Sequence, residues 1–87
     1  MDKVDKVLYT AKVHTTGGRD GAARSSDGNL DVKLVTPGGN RPGTNPEQLF
    51  AAGWSACFMS AILHLAAQRH ISLSPERYID AEVEVEP

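Results

Sequence analysis

The sequence predicts an α+β domain in which an antiparallel β-sheet packs on one long central helix. Three observations predict it: apolar and polar residues alternate near both ends of the chain, an Asp-Gly pair divides two alternating arms, and a charge-free apolar stretch of helical character lies between. Eighty-seven residues make one domain, 1–87, with a modest core of the kind that oligomerisation often supplements.

Residues 7–14, VLYTAKVH, place Val7, Tyr9, Ala11 and Val13 on one face and Leu8, Thr10, Lys12 and His14 on the other, which predicts a first strand. TTGGRDG then breaks regular structure, because paired glycines reach conformations closed to other residues and Asp-Gly favours a turn, so Arg19 is expected on a loop. AARSS and NLDVKLV flank Asp27-Gly28 and predict a hairpin of strands two and three, with Leu30, Val32 and Leu34 on one face. A Gly/Pro-rich surface loop, TPGGNRPGTNP, leads to a helix start. Asn45 suits the N-cap, Pro46 the first helical position, and Gln48 completes the spacing of a capping box.

The predicted helix runs over 46–69, with Leu49, Phe50, Trp54, Phe58, Ile62 and Leu65 among many alanines. Little of its circumference is made for water, so it is expected to be buried between the sheet and something else. Its charge-free run, Gln48 to Leu63, falls short of the ~20 residues of a membrane span, so no membrane role is expected. A fourth strand is predicted over 78–86, where Ile79, Ala81, Val83 and Val85 alternate with Asp80, Glu82, Glu84 and Glu86. The acidic face is a solvated surface that discourages edge pairing. A strand in the last residues leaves the helix covered on one side only, which points to part of a larger fold or to an intertwined oligomer.

A net charge of −2 with scattered Lys and Arg gives no basic field, so nucleic acid is not an expected partner. One cysteine excludes an intrachain disulfide, and the chain opens on no charged-then-apolar leader; a reducing, cytoplasmic location is the expectation.

Three side chains carry potential chemistry, and each has a plain structural explanation beside it. Cys57 on an apolar helix is, taken alone, more often a small core hydrophobe than a nucleophile. Arg19 is ordinary on a surface loop, and Glu47 in a first helical turn complements the helix dipole by roughly 0.3–1 kcal/mol. A thiol that reacts needs a cation to hold its thiolate, and the arginine loop could supply it. An apolar setting favours the neutral thiol, whereas a guanidinium about 4 Å away favours the thiolate by roughly 4 kcal/mol at an effective dielectric near 20.

Four stretches, LYTA at 8–11, TGGRDG at 16–21, SSDGNLDVKL at 25–34 and above all GTNPEQLFAAGWSACF at 43–58, resemble in order the organic hydroperoxide resistance (Ohr) proteins of the OsmC-like family. The resemblance implies a thiol peroxidase that reduces organic hydroperoxides to alcohols without a cofactor, in defence against oxidative stress. It implies that Cys57 is the peroxidatic cysteine, that Arg19 stabilises its thiolate and that Glu47 holds the arginine. It further implies an intertwined homodimer of OsmC-like fold with active sites at the interface, and reduction by an external dithiol such as a lipoylated protein.

Glu47 and Cys57 are ten residues apart, roughly 15 Å along a straight helix, so they cannot meet within one such helix. Either the helix breaks near Gly53 or the Glu47 that serves a given Cys57 comes from a second subunit, and the second arrangement is favoured. Phe50, Trp54, Phe58 and Met59 are candidates for an apolar wall that favours alkyl hydroperoxides over hydrogen peroxide, with a plain core role equally available. The family's second, resolving cysteine has no counterpart in these residues, which match the first part of a family member.

Other chemistries find less support. His14, His64 and His70 fall on different elements without metal-ligand spacing, and Cys57 and His64 lie two helical turns apart. No phosphate-binding or dinucleotide glycine motif is present. The alternative from another class is a non-catalytic dimerisation or binding module that keeps the fold with an inert thiol.

Overall fold

Three of the four predicted strands and the long helix are present, in the order β1 (Val13–Thr16), β2 (Ala22–Ser25), β3 (Asp31–Lys33) and α1 (Pro46–Gln68). The structure is a computed structural model, and it describes residues 6–86. The chain divides into two compact units, residues 1–45 and 46–87.

The first unit is an antiparallel meander, β1-β2-β3. Its register pairs Val13 with Ser25 and Thr16 with Ala22, then Ala22 with Lys33 and Arg24 with Asp31. One face turns inward through Ala23, Val32 and Leu34, of which Ala23 and Leu34 are buried, while Arg24, Asp31 and Lys33 on the other face are exposed. This is the alternation predicted for the second arm. The hairpin closes around Asp27-Gly28 with Gly28 at φ 77°, as predicted, although through a wider turn. Ser25 and Leu30 exchange backbone and side-chain bonds (Ser25 N to Leu30 O 2.8 Å, Leu30 N to Ser25 Oγ 2.9 Å), and Asp27 Oδ1 accepts from Ser25 Oγ at 2.6 Å and from Asn29 N at 3.0 Å.

The first strand differs from the expectation: it begins at Val13, and the exposed residues 7–12 belong to no strand. A strand is a pairing, and β2 turns away at Asp27. The last bond to the preceding segment is Ser26 N to Lys12 O at 2.9 Å. Alternation alone cannot extend a ladder past its partner.

After β3 the Gly/Pro loop is clipped at its base. Leu34 and Thr44 form a parallel bridge, with Val35 N donating to Thr44 O at 2.8 Å and Thr44 N to Lys33 O at 2.9 Å.

The second unit is α1 and the segment that follows it. The helix starts at Pro46, the position where a missing N–H costs nothing, and runs unbroken for 23 residues through Gly53. It ends in a left-handed residue, His70 at φ 54°, with Ile71 N bonded to Ala66 O at 2.8 Å and His70 N to Ala67 O at 3.3 Å, the paired bonds of a Schellman cap. The chain then returns beside the helix. Ile71 and Leu73 lie along its last turns with Ile62, Leu65 and Ala66, and Asp80–Val83 along its first turns with Phe50, Ala51 and Trp54.

Two expectations for this unit are corrected. Residues 78–86 form no strand, because no described strand runs beside them, although Ile79 and Ala81 are half-buried and their acidic neighbours exposed as the alternation requires. The helix is not buried either: within these residues only Ala66 is, since a single returning segment cannot enclose a cylinder about 10 Å across. By length and composition α1 is also apolar enough to cross a membrane, because the helix extends the charge-free run at both ends.

Candidate active site

The arginine loop is built by glycine at close quarters. Gly17 and Gly18 take φ 70° and 58°, turning the chain out of β1 into a single 3-10 turn, Gly18–Asp20, closed by Gly21 N to Gly18 O at 3.2 Å. The two ends of the loop then approach so nearly that a Cβ on Gly21 would collide with the Thr16 carbonyl oxygen, and one on Gly17 would lie 2.8 Å from Gly21 Cα. Side chains are left only on Arg19 and Asp20. Arg19 is exposed. Asp20 turns its carboxylate toward the Gly/Pro loop, where Oδ1 accepts from Thr36 N at 3.3 Å, Thr36 Oγ1 at 3.1 Å and Arg41 Nη2 at 2.8 Å. Sequence reasoning missed this contact. Its partners lie 16 and 21 residues away, beyond the reach of any local pattern.

Helix α1 sorts its residues into two faces. At about 100° per residue, Phe50, Trp54, Cys57, Phe58 and Leu65 fall on one side, and all are exposed. Ala51, Ser55, Met59, Ile62 and Ala66 fall on the other and are half-buried or buried. The thiol of Cys57 is therefore exposed, and the core role open to a lone cysteine is not the one it occupies in these residues. Trp54 and Phe58 stack beside it with ring centroids 5.2 Å apart and planes 15° from parallel. Trp54 and Phe50 also border an open cleft of roughly 330 Å³ whose far side is Asp80–Val83.

Of the four residues considered for an apolar wall, Phe50, Trp54 and Phe58 thus share the thiol's face. Met59 lies about 180° round the helix from Phe50, on the half-buried side. Glu47 is half-buried in the first turn, roughly 15 Å along the axis from Cys57. The unbroken helix removes one of the two arrangements left open above, a break near Gly53 that would fold Glu47 back toward the thiol. Arg19 belongs to the first unit, Glu47 and Cys57 to the second. Among the described residues no group of three or more His, Cys, Asp or Glu gathers to hold a metal ion.

The chain also matches a known family. Residues 37–87 match the model of the OsmC-like proteins. The chain belongs to the OsmC-like family. It is 53% identical over 87 residues to an organic hydroperoxide resistance protein of Xanthomonas axonopodis pv. citri, a match covering 95% of this chain and 61% of that protein. Two solved structures are similar. An organic hydroperoxide resistance protein from Legionella pneumophila has a TM-score of 0.71 and 51% identity over 78% of this chain and 52% of its own. OhrB of Bacillus subtilis, also an organic hydroperoxide resistance protein, has a TM-score of 0.70 and 50% identity over 75% and 50%. This OsmC-like chain spans about three fifths of the length of the curated relatives it matches and about half of the solved ones.

Proposed function

We propose that the chain carries the peroxidatic part of a thiol peroxidase that reduces organic hydroperoxides in oxidative stress defence. The observation that carries this reading is the placement of an exposed Cys57 on the same helix face as Phe50, Trp54 and Phe58. A thiol so placed meets an alkyl peroxide on a surface that binds alkyl chains. The names of the relatives point to the same substrates.

The proposed chemistry runs in one step within these residues. The Cys57 thiolate, held ionised by the Arg19 guanidinium, attacks the distal oxygen of the hydroperoxide; the O–O bond breaks, the sulfur becomes a sulfenic acid, and the alkoxide leaves as an alcohol after taking a proton. The electron pair comes from sulfur, so one peroxide is reduced for each thiol oxidised to the sulfenic state. Phe50, Trp54 and Phe58 favour an alkyl over a hydrogen peroxide, and Met59, on the other face, takes no part. Glu47 fixes the guanidinium by a bidentate pair and relays the proton. With α1 unbroken, it does so from a second copy of the chain, in a homodimer.

The second thiol that would convert the sulfenic acid to a disulfide comes from outside these 87 residues, which hold one cysteine. An external dithiol such as a lipoylated protein then restores the thiol. The proposed setting is soluble and cytoplasmic, with the apolar face of α1 covered by protein.

Intact mass spectrometry of the reduced protein before and after one equivalent of tert-butyl hydroperoxide, with hydrogen peroxide in parallel, tests the reading. A gain of one oxygen at Cys57, faster with the organic peroxide, is the expected result; an unchanged mass with both peroxides refutes it. The trans arrangement has its own test. Mixing Cys57→Ser and Glu47→Gln subunits restores one intact site per heterodimer, and continued inactivity after confirmed exchange excludes it.

A further inference from the structure

We propose that Asp20 is a positioning residue for Arg19. Its carboxylate latches the arginine-bearing turn to the loop after β3, and that latch sets the place from which the guanidinium acts. The proposal rests on the reading that Arg19 serves Cys57. The latch itself lies wholly within the first unit.

Three donors converge on one oxygen, Asp20 Oδ1: the backbone N–H of Thr36, its hydroxyl, and the guanidinium of Arg41. The ion pair with Arg41 is exposed on both sides and by itself contributes little. Thr36 is the firmer half. It directly follows Val35, whose N–H is bonded to Thr44 O, and it stands two residues beyond the buried Leu34, so the donors sit on a loop tied down at its base. On the other side the turn is all glycine apart from Arg19 and Asp20, and glycine backbone has many conformations to lose. The backbone holds the turn at Gly21, whose carbonyl accepts from Leu34 N at 2.9 Å. Asp20 adds a side-chain attachment one residue from Arg19. A turn tied to the neighbouring loop presents its arginine in a narrower range of positions than one without that tie, and small misplacements of a charged group cost rate steeply.

The test compares Asp20→Ala, Asp20→Asn, Thr36→Val and Arg19→Ala, with circular dichroism to check folding. Rates are read for sulfenic acid formation with tert-butyl hydroperoxide and for iodoacetamide alkylation of Cys57 at about pH 6 and about pH 10. Asp20→Ala is expected to slow both reactions at the lower pH by about tenfold, and Asp20→Asn, which keeps an acceptor oxygen, to recover part of the loss. Alkylation at the higher pH, where the thiolate needs no help, is expected to stay within about twofold of the parent, an outcome that general loosening of the fold would not give. Adding Asp20→Ala to Arg19→Ala is expected to cost less than about twofold more, because a latch has nothing left to position. Should Asp20→Ala fail to fold, Thr36→Val removes one donor from the opposite side and decides the matter by a smaller loss of the same kind. Slow Arg19→Ala with parent-like Asp20→Ala and Thr36→Val overturns the latch and leaves the role of Arg19 standing. Parent-like Arg19→Ala overturns that role and the latch with it, and additive losses in the double variant show Asp20 acting by another route.

Discussion

Each of the two units of this chain is stabilised internally by its own means. The first has two buried apolar side chains among the described residues, Ala23 and Leu34, and rests on backbone geometry: glycines at close approach, a hairpin turn tied by Ser25, Asp27 and Asn29, and a loop clipped between Leu34 and Thr44. The second, among the described residues, is built on a single helix, ended by the cap at His70 and followed by a turn at Ser74, with Phe50, Trp54 and Phe58 between 49% and 63% exposed. The contrast follows from what each unit is proposed to supply. An arginine on a short turn needs a fixed backbone, whereas a thiol that receives an alkyl peroxide needs an apolar surface beside it. Substitutions in the first unit should therefore act through geometry, and those in the second through surface.

The largest expected effect is chemical. In the proposed site Arg19→Ala removes the guanidinium that serves the thiolate, and because such a charge contributes roughly 4 kcal/mol when about 4 Å away, sulfenic acid formation at neutral pH should fall by about 100- to 1,000-fold. Arg19 is exposed, where the contacts of a charged side chain contribute little to stability, so the melting temperature should move little. Stopped-flow oxidation and thermal melting check the pair of outcomes, and an unchanged rate removes Arg19 from the mechanism.

Next come two identical substitutions, one in each unit, which should have opposite signs. At Gly21 an alanine methyl would collide with the Thr16 carbonyl oxygen, so Gly21→Ala must displace the arginine loop and should destabilise the protein by about 2 kcal/mol or more. At Gly53, within α1, the same methyl would meet nothing within 4 Å, so Gly53→Ala should stabilise the helix by roughly 0.5–1 kcal/mol through propensity alone. Chemical denaturation measures both. A loss of stability in Gly53→Ala would mean that another chain packs against α1 at this point, beside Cys57 four residues on, which would sharpen the case for a site shared between copies.

Local chemistry made most of the fold legible. The Asp27-Gly28 hairpin, the glycine-built arginine turn and the start of α1 at Pro46 are each decided by a few adjacent residues, and the structure has each of them. What the sequence hid was pairing over distance. Residues 7–12 and 78–86 alternate as strands do, yet alternation records only that a face is apolar, not that a neighbour exists. The hydrogen bonds from Thr36 and Arg41 to Asp20 have no periodic signature at all. Met59 is a different case, since helical spacing alone puts it opposite Phe50, and grouping it with the aromatic residues followed its apolar character instead of its angle.

The smallest effect is a pH dependence confined to the first unit. Hydrogen bonds from Ser25 Oγ, and then from the backbone N–H of Asn29, hold the Asp27 carboxyl below its ordinary value. In the unfolded chain those donors disperse and the carboxyl returns to about 3.9. A group whose value is lower folded than unfolded binds protons more weakly in the folded state. Its contribution to stability is therefore complete above about pH 4 and is lost as the pH falls through the folded value. Asp27 is fully exposed, so the contribution is small and belongs to the turn alone. Comparing the parent with Asp27→Ala by urea denaturation from pH 7 down to pH 2 should show a gap that narrows in the acid range. A gap of constant width would mean that the turn is held by the backbone bonds of Ser25 and Gly28 without the carboxylate. The first unit would then rest on backbone geometry at its hairpin as well as at its arginine loop.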